Sequence, residues 1–323
     1  MGADDPKRIF GTTDQLQEEF GVHRVFDTPT AENAMTGIGV GLALGGYRVV
    51  MSHQRLDFFL LAMDQLVNSA AKWNYMFGDQ TPIPIVIRLI LGRGWGQGPT
   101  HSQNLQSWFA HIPGLKVVTP ATAYDAKGLL LSSIRDANPV VFLEHRWLHN
   151  SLSSVPIERY EIPIGKAKVV RMGKDISLIC MSYMTVEALR AAEYLMQFGI
   201  SCEVVDLRTV RPIDWETIFA SVRKTQRLLA LDTSQPTCSI SSEVISRVTT
   251  HLFSTLKQSP KMIANPDNPE PTSYGLTKYY HPTDEDIAIR VSDMLDVKIN
   301  VDDLRAKRSC PHDVPGDWFS GPF

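Results

Sequence analysis

Short apolar, β-branched runs alternate along the chain with segments of helical periodicity. Runs at 47–52, 83–89, 115–119 and 140–144 form one set, and runs at 176–181, 203–207 and 228–232 form a second. Several are apolar almost throughout, as in IPIVIRLI. That is the mark of strands covered on both faces, the parallel-sheet case. Between them, 57–73 and 185–198 carry helical spacing, and the second is followed by Gly199, a residue suited to the left-handed position after a helix. The alternation predicts right-handed crossovers and an α/β fold of two doubly wound domains. The expected division is a first domain over 1–148, a Ser-rich linker over 149–163, a second domain over 164–297 and an extended tail over 298–323 that docks through its aromatics.

Composition narrows the function. The 323 residues are 43% hydrophobic and 21% charged, with a net charge of −3, which is ordinary for a globular protein and disfavours a nucleic-acid partner. The four cysteines form no C-x-x-C pair, so reduced thiols in a cytosolic-type compartment are expected. No apolar run reaches 18 residues, and the first residues carry no secretory apolar core. A cytoplasmic protein without a membrane span follows as the expectation.

Two segments carry candidate chemistry. In DTPTAENAMTGIGVGLALGG, Thr28 and Pro29 signal a helix start, and Gly37, Gly41 and Gly45 form a stripe without side chains that suits close helix packing, including packing on a second subunit. Glu32 falls in the first turn, where the helix dipole alone accounts for an acid. Further on, Gly92, Gly94, Gly96 and Gly98 alternate ahead of His101. Such a loop lets a ligand approach the backbone, yet it is neither a P-loop nor a G-x-G-x-x-G turn. A histidine beyond a parallel strand, at the apparent start of a helix, lies where open α/β sheets bind ligands and could move protons; a solvated or capping role is the alternative. The pairs His145/His149 and His101/His111 lack acidic or thiol partners at metal-ligand spacing, and no G-x-S-x-G elbow occurs.

Taken together, DTPTAEN, MDQLVNSAAK, PIPIVIR, GQGPTHSQ, PGLKVVTP followed by DAKGLL, IRDANPVVFLEH, KAKVVRMGKDISLI, EVVDLRTVRPID and the Pro269, Pro271, Ser273 region resemble the β subunits of thiamine-diphosphate-dependent 2-oxo acid dehydrogenases. These are the decarboxylating first components of pyruvate-, branched-chain- and acetoin-type complexes. The resemblance spans roughly 1–295. It implies a thiamine-diphosphate-binding (pyrimidine) domain followed by a transketolase C-terminal-like domain. It implies that Glu32 hydrogen-bonds a ring nitrogen of the aminopyrimidine, where a water-poor pocket would raise its pKa and let it share a proton. His101 would assist with the substrate or the lipoyl-bound acyl group. Phe58 would pack on the aminopyrimidine, although a core phenylalanine on an amphipathic helix explains it equally well. A monovalent cation such as K⁺ would be held by backbone carbonyls at Ile85, Ser133, Asp136 and Asn138.

The sequence departs from that family in three places. The family's diphosphate and Mg²⁺ motif, G-D-G with a later Asn, belongs to the α subunit, and this chain has only Gly78-Asp79-Gln80. An α partner holding Mg²⁺, in an α₂β₂ tetramer that serves a lipoyl-acyltransferase core, is therefore expected. The helix and strand that begin family β subunits, roughly twenty residues, have no counterpart ahead of GADDPKRIFG, which would leave a sheet edge to be covered. Ser52, His53, Gln54 and Arg55 replace an acidic-aromatic stretch. His53 and Arg55 are thus expected near the substrate entrance, with Arg55 gripping an additional anionic group of the 2-oxo acid. A split transketolase-like transferase subunit and a non-catalytic scaffold subunit are the alternative readings.

Overall fold

The computed structural model describes residues 2–4, 10–93 and 96–319. Among the described residues there are ten strands: β1 (Val49–His53), β2 (Ile85–Leu91), β3 (Lys116–Val118), β4 (Val140–His145), β5 (Lys168–Arg171), β6 (Ile176–Cys180), β7 (Cys202–Asp206), β8 (Thr209–Arg211), β9 (Leu228–Leu231) and β10 (Lys261–Ile263). They form two five-stranded sheets, ordered β1-β2-β4-β3-β8 and β10-β9-β6-β7-β5. All pairings are parallel except β3 with β8 and β5 with β7.

The central strands are buried on both faces because their side chains are apolar on both. In β2, only Arg88 breaks the run, and it meets Glu144 of β4 through two hydrogen bonds of 2.8 and 3.1 Å. A charge is tolerated in a covered strand when its partner lies on the neighbouring strand and both of its oxygens accept. The short strands β5, β8 and β10 lie outside the predicted apolar runs. β8 has the largest consequence: it comes from the second half of the chain and completes the sheet of the first. Further ties join the halves. Thr119 N–H donates to the Arg208 carbonyl at 2.8 Å, Arg211 donates to the Ala110 carbonyl at 2.8 Å, and the Arg208 guanidinium lies 2.5 Å from the Asp125 carboxylate.

Local starts and stops differ from the expected ones in three places. The helix Glu32–Leu44 begins three residues after Pro29, with Ala31 ahead of it and no side-chain cap from Thr28. The amphipathic stretch 57–73 is a chain of short segments: a helical turn Leu56–Phe59, a 3₁₀ turn Leu60–Ala62, a π-helical turn Gln65–Ala70 and the helix Ala71–Met76. His101 does not start a helix; the helix is Gln106–His111. Gly199, by contrast, takes the left-handed conformation (φ 76°) as its place in the sequence requires.

The glycine stripe also resolves in an unexpected way. The helix Glu32–Leu44 packs inward through Thr36, Gly39, Val40 and Ala43. A Cβ on Gly39 would lie 2.5 Å from the Met51 sulfur, so the close approach is there. Gly41 has nothing within 4 Å, and Ile38 and Leu42 beside it are exposed. Gly41 and Gly45 face outward, whereas Gly37 lies against the Gln65 side chain. β1 is an edge strand of its sheet, and its Val50 is exposed. Residues 298–319 run along the second domain, where Val297, Ile299, Val301 and Leu304 join its core and the Trp318 indole N–H donates to the Trp147 carbonyl at 2.8 Å.

Two glycines test this packing. Gly114 has φ 92°, and a Cβ there would stand 1.8 Å from the Ala71 carbonyl oxygen. Gly114→Ala should lower stability by about 2–4 kcal/mol in urea unfolding, combining backbone strain with a clash that cannot relax. Gly41→Ala should leave the isolated chain unchanged or more stable by up to about 1 kcal/mol, because only helix propensity changes.

Candidate active site

Three parallel strands of the first sheet end side by side, and their carboxyl ends carry the polar residues of interest, as open α/β sheets arrange their ligand sites. β1 ends in His53, with Arg55 two residues on; β2 leads into Gly92 and Arg93; β4 ends in His145, followed by Arg146. The loop after β2 is rich in glycine and has little preference of its own, so its course is set by what holds it. Arg55 donates to the Gly92 carbonyl at 2.8 Å and to the Gln97 side chain. Gly92 N–H donates to the Gln103 carbonyl, which closes the loop at its base. The Gln103 backbone and side-chain amides both donate to Asp57, at 3.3 and 2.9 Å. Gln106 then donates to the buried Asp232 at the end of β9, at 2.7 Å. The loop is thus fastened to both halves of the molecule.

His101 emerges from this frame half-buried. Its ring lies edge-on to Phe58, with centroids 5.1 Å apart at 88°, and its Nδ1 is 3.0 Å from the Thr100 hydroxyl. Phe58 is 39% exposed, whereas the neighbouring Phe59 is fully buried and carries the core contact. The core explanation therefore applies to Phe59, and Phe58 keeps an open face. Glu32 is the first residue of the helix Glu32–Leu44, half-exposed, and that helix packs on the 56–70 segment where Gly37 faces Gln65. The structure brings Phe58 and His101 into contact and places Glu32 on a separate, adjoining element.

His53 and Arg55, read from the sequence as entrance groups, are both buried in this chain. Arg55 is 3% exposed and His53 6%, and the Arg55 guanidinium is spent on the glycine loop. At the proposed cation turn, Arg48 donates to the carbonyls of Ile134 and Asp136 at 2.7 and 3.0 Å, and Lys116 pairs with the Asp136 carboxylate at 2.5 Å. Ser133 is buried in the helix Ala123–Arg135, Ile85 begins β2, and the Asn138 amide donates to the Asp136 carboxylate. Two cationic side chains already supply the positive charge that such a turn attracts, so the residues present do not call for a further cation. Among the described residues, no group of three or more His, Cys, Asp or Glu side chains could hold a metal ion.

Comparison with known proteins bears on this arrangement. Residues 1–150 match the transketolase pyrimidine-binding domain and residues 165–287 the transketolase C-terminal domain. The chain is 41% identical over 291 residues to the acetoin:2,6-dichlorophenolindophenol oxidoreductase subunit beta of Cupriavidus necator, covering 89% of this chain and 86% of that one. It is 43% identical over 266 residues to the pyruvate dehydrogenase E1 component subunit beta of Bacillus subtilis, covering 82% of each. The chain belongs to this family of transketolase-like β subunits. Among solved structures, a split-gene transketolase described as an inactive β4 tetramer superposes with a TM-score of 0.73 at 22% identity, over 92% of this chain and 95% of that one, and shares the fold.

Arg55, Arg93 and Arg146 gather with His53 and His145 at the carboxyl edge of the first sheet. Burial pushes His53 down to about 4 and His145 down to about 3. His149 is held at about 3 by burial and by the nearby Arg146, Arg88 and Arg55. Burial, opposed by Asp57 and Glu270, brings Arg55 down to about 10. The imidazoles are therefore neutral in the folded chain. Sequence reading missed the residues that hold the loop, namely Asp57, Arg93, Gln97, Gln106 and Asp232, because nothing in their spacing reveals a partner more than 30 positions away. The one available signal was an arginine inside the glycine run.

The sign of the pH effect follows. Unfolded His53 takes a proton near its ordinary value of 6.5, whereas folded His53 stays neutral down to about 4. Stability from this group is complete above the unfolded value and is lost as pH falls. Between those limits the wild type should lose up to about 1.4 kcal/mol per pH unit more than His53→Gln. Paired urea titrations at several pH values measure the difference, with all other groups cancelling.

Proposed function

We propose that this chain is the β subunit of a heteromeric thiamine-diphosphate-dependent 2-oxo acid dehydrogenase. Its reaction is the oxidative decarboxylation of a small 2-oxo acid with transfer of the acyl group to a lipoyl carrier. The carrying observation is the Phe58–His101 pair, an open aromatic face with an imidazole 5.1 Å away, set by a braced loop in a chain of this family. Relatives named as pyruvate dehydrogenase and acetoin oxidoreductase β subunits support the reaction class.

The residues present fit one half of a thiamine diphosphate site. Phe58 offers a flat, half-open ring to an aminopyrimidine, and Glu32 offers a half-exposed carboxyl at a helix start to a ring nitrogen. His101 holds or moves a proton at the oxygen of the substrate or acyl group. When bound, the cofactor supplies the electron sink that decarboxylation of a 2-oxo acid requires. Mg²⁺ and the diphosphate fall to an α partner, since Gly78-Asp79-Gln80 does not complete the G-D-G motif. An α₂β₂ assembly would cover the outward Gly41 stripe with its exposed neighbours Ile38 and Leu42, and the lipoyl-bearing acyltransferase core is the expected acceptor.

In the complex reconstituted with its α subunit, Glu32→Gln should reduce turnover by about 100-fold or more without preventing assembly. His101→Ala should reduce acyl transfer to a lipoyl domain by about 100-fold. Full decarboxylation by the Glu32→Gln complex would refute the catalytic reading and leave a scaffold. Normal decarboxylation with no transfer to a lipoyl domain, but transfer to an aldehyde, would point to a transketolase-like transferase.

A further inference from the structure

The glycine loop has a second arginine whose role the site does not explain. Arg93 immediately follows Gly92 and is only 2% exposed. Its partners come from the other half of the chain. Its guanidinium lies 3.3 Å from the Asp313 carboxylate and 3.7 Å from the Glu270 carboxylate. It is also 3.4 Å from the His281 ring, which in turn is 3.3 Å from Glu270. Asp313 is 1% exposed and Glu270 5%.

Asp313 belongs to the tail, well beyond residue 287, where the match to the transketolase C-terminal domain ends. The tail is fastened on both sides of it. The His312 ring meets the Thr277 hydroxyl at 2.9 Å. Arg190 donates to the Pro315 carbonyl at 3.0 Å and lies over the Trp318 ring at 5.1 Å. Trp318 donates to the carbonyl of Trp147, just past β4. The tail therefore delivers a buried carboxylate to the root of the loop that leads to His101.

We infer that Asp313 is a positioning residue: the C-terminal tail sets the glycine loop, and through it His101, by pairing with Arg93. The inference rests on the reading of His101 as a site residue only for its kinetic consequence. The physical argument is that a glycine-rich loop imposes little conformation of its own, so its root is located by contacts, and two of these are guanidinium braces. Arg55 acts from the β1 side and Arg93 from the side of the tail. Removing one carboxylate leaves a buried guanidinium short of its counter-charge, and the loop root is what can move to relieve it.

The test compares wild type, Asp313→Asn and a chain ending at Pro311, which keeps the apolar packing of 297–304, each in the assembled enzyme. Hydrogen–deuterium exchange of residues 96–106 should be about tenfold faster in both variants, with strands β6 and β9 unaffected. The kcat should fall about tenfold, while KM for the 2-oxo acid changes less than about twofold. Asp313→Glu should restore most of both. Unchanged exchange at 96–106 in the two variants would overturn the inference, as would a uniform rise in exchange across the second domain. If His101→Ala retains full activity while loop exchange still responds to Asp313→Asn, the site reading fails and the tail's hold on the loop stands.

Discussion

A glycine-rich segment has almost no conformation of its own, so a histidine at its end is only as well placed as the contacts that hold the segment. Here those contacts are polar, buried and drawn from both halves of the chain. Arg55 takes the Gly92 carbonyl, Asp57 takes both amides of Gln103, and Asp232 takes Gln106. Each bond removes a freedom the backbone would otherwise keep. The glycines permit a ligand to come close, and the bracing keeps that permission from becoming disorder.

The same bracing explains why so much positive charge sits at one end of a buried sheet. Arg55, Arg88 and Arg93 would be costly if isolated from water. Arg88 is matched by Glu144, Arg93 lies between Glu270 and Asp313, and Arg55 is met by backbone and amide oxygens. The histidines around them give up their protons instead, which is the less expensive response to burial beside like charge. The result is a braced basic floor, beside which the Phe58 and His101 rings remain partly exposed.

The interlocking of the halves follows from similar logic. β8 leaves the second half to pair with β3, the Arg208 carbonyl accepts from Thr119, and Asp125 meets Arg208. The second half is therefore part of the first sheet's edge. A site built on the first sheet depends on the whole chain, including a tail that reaches back to Trp147.

The repeating pattern of apolar runs was enough to determine the two parallel-rich sheets, because a strand covered on both faces must be apolar on both. The run DTPTAEN and the turn GQGPTHSQ carry the resemblance on which the proposed roles of Glu32 and His101 rest. Residue order alone did not decide whether Phe58 or Phe59 faces the core, since adjacent positions on a short helical turn differ by a rotation that only packing selects. Nor did it show that Arg55 is a brace, that Gly39 and not Gly41 takes the close contact, or that Asp313 reaches Arg93. Those outcomes depend on pairings between residues far apart in sequence, and a local pattern holds no record of a partner that folding brings in from another strand end.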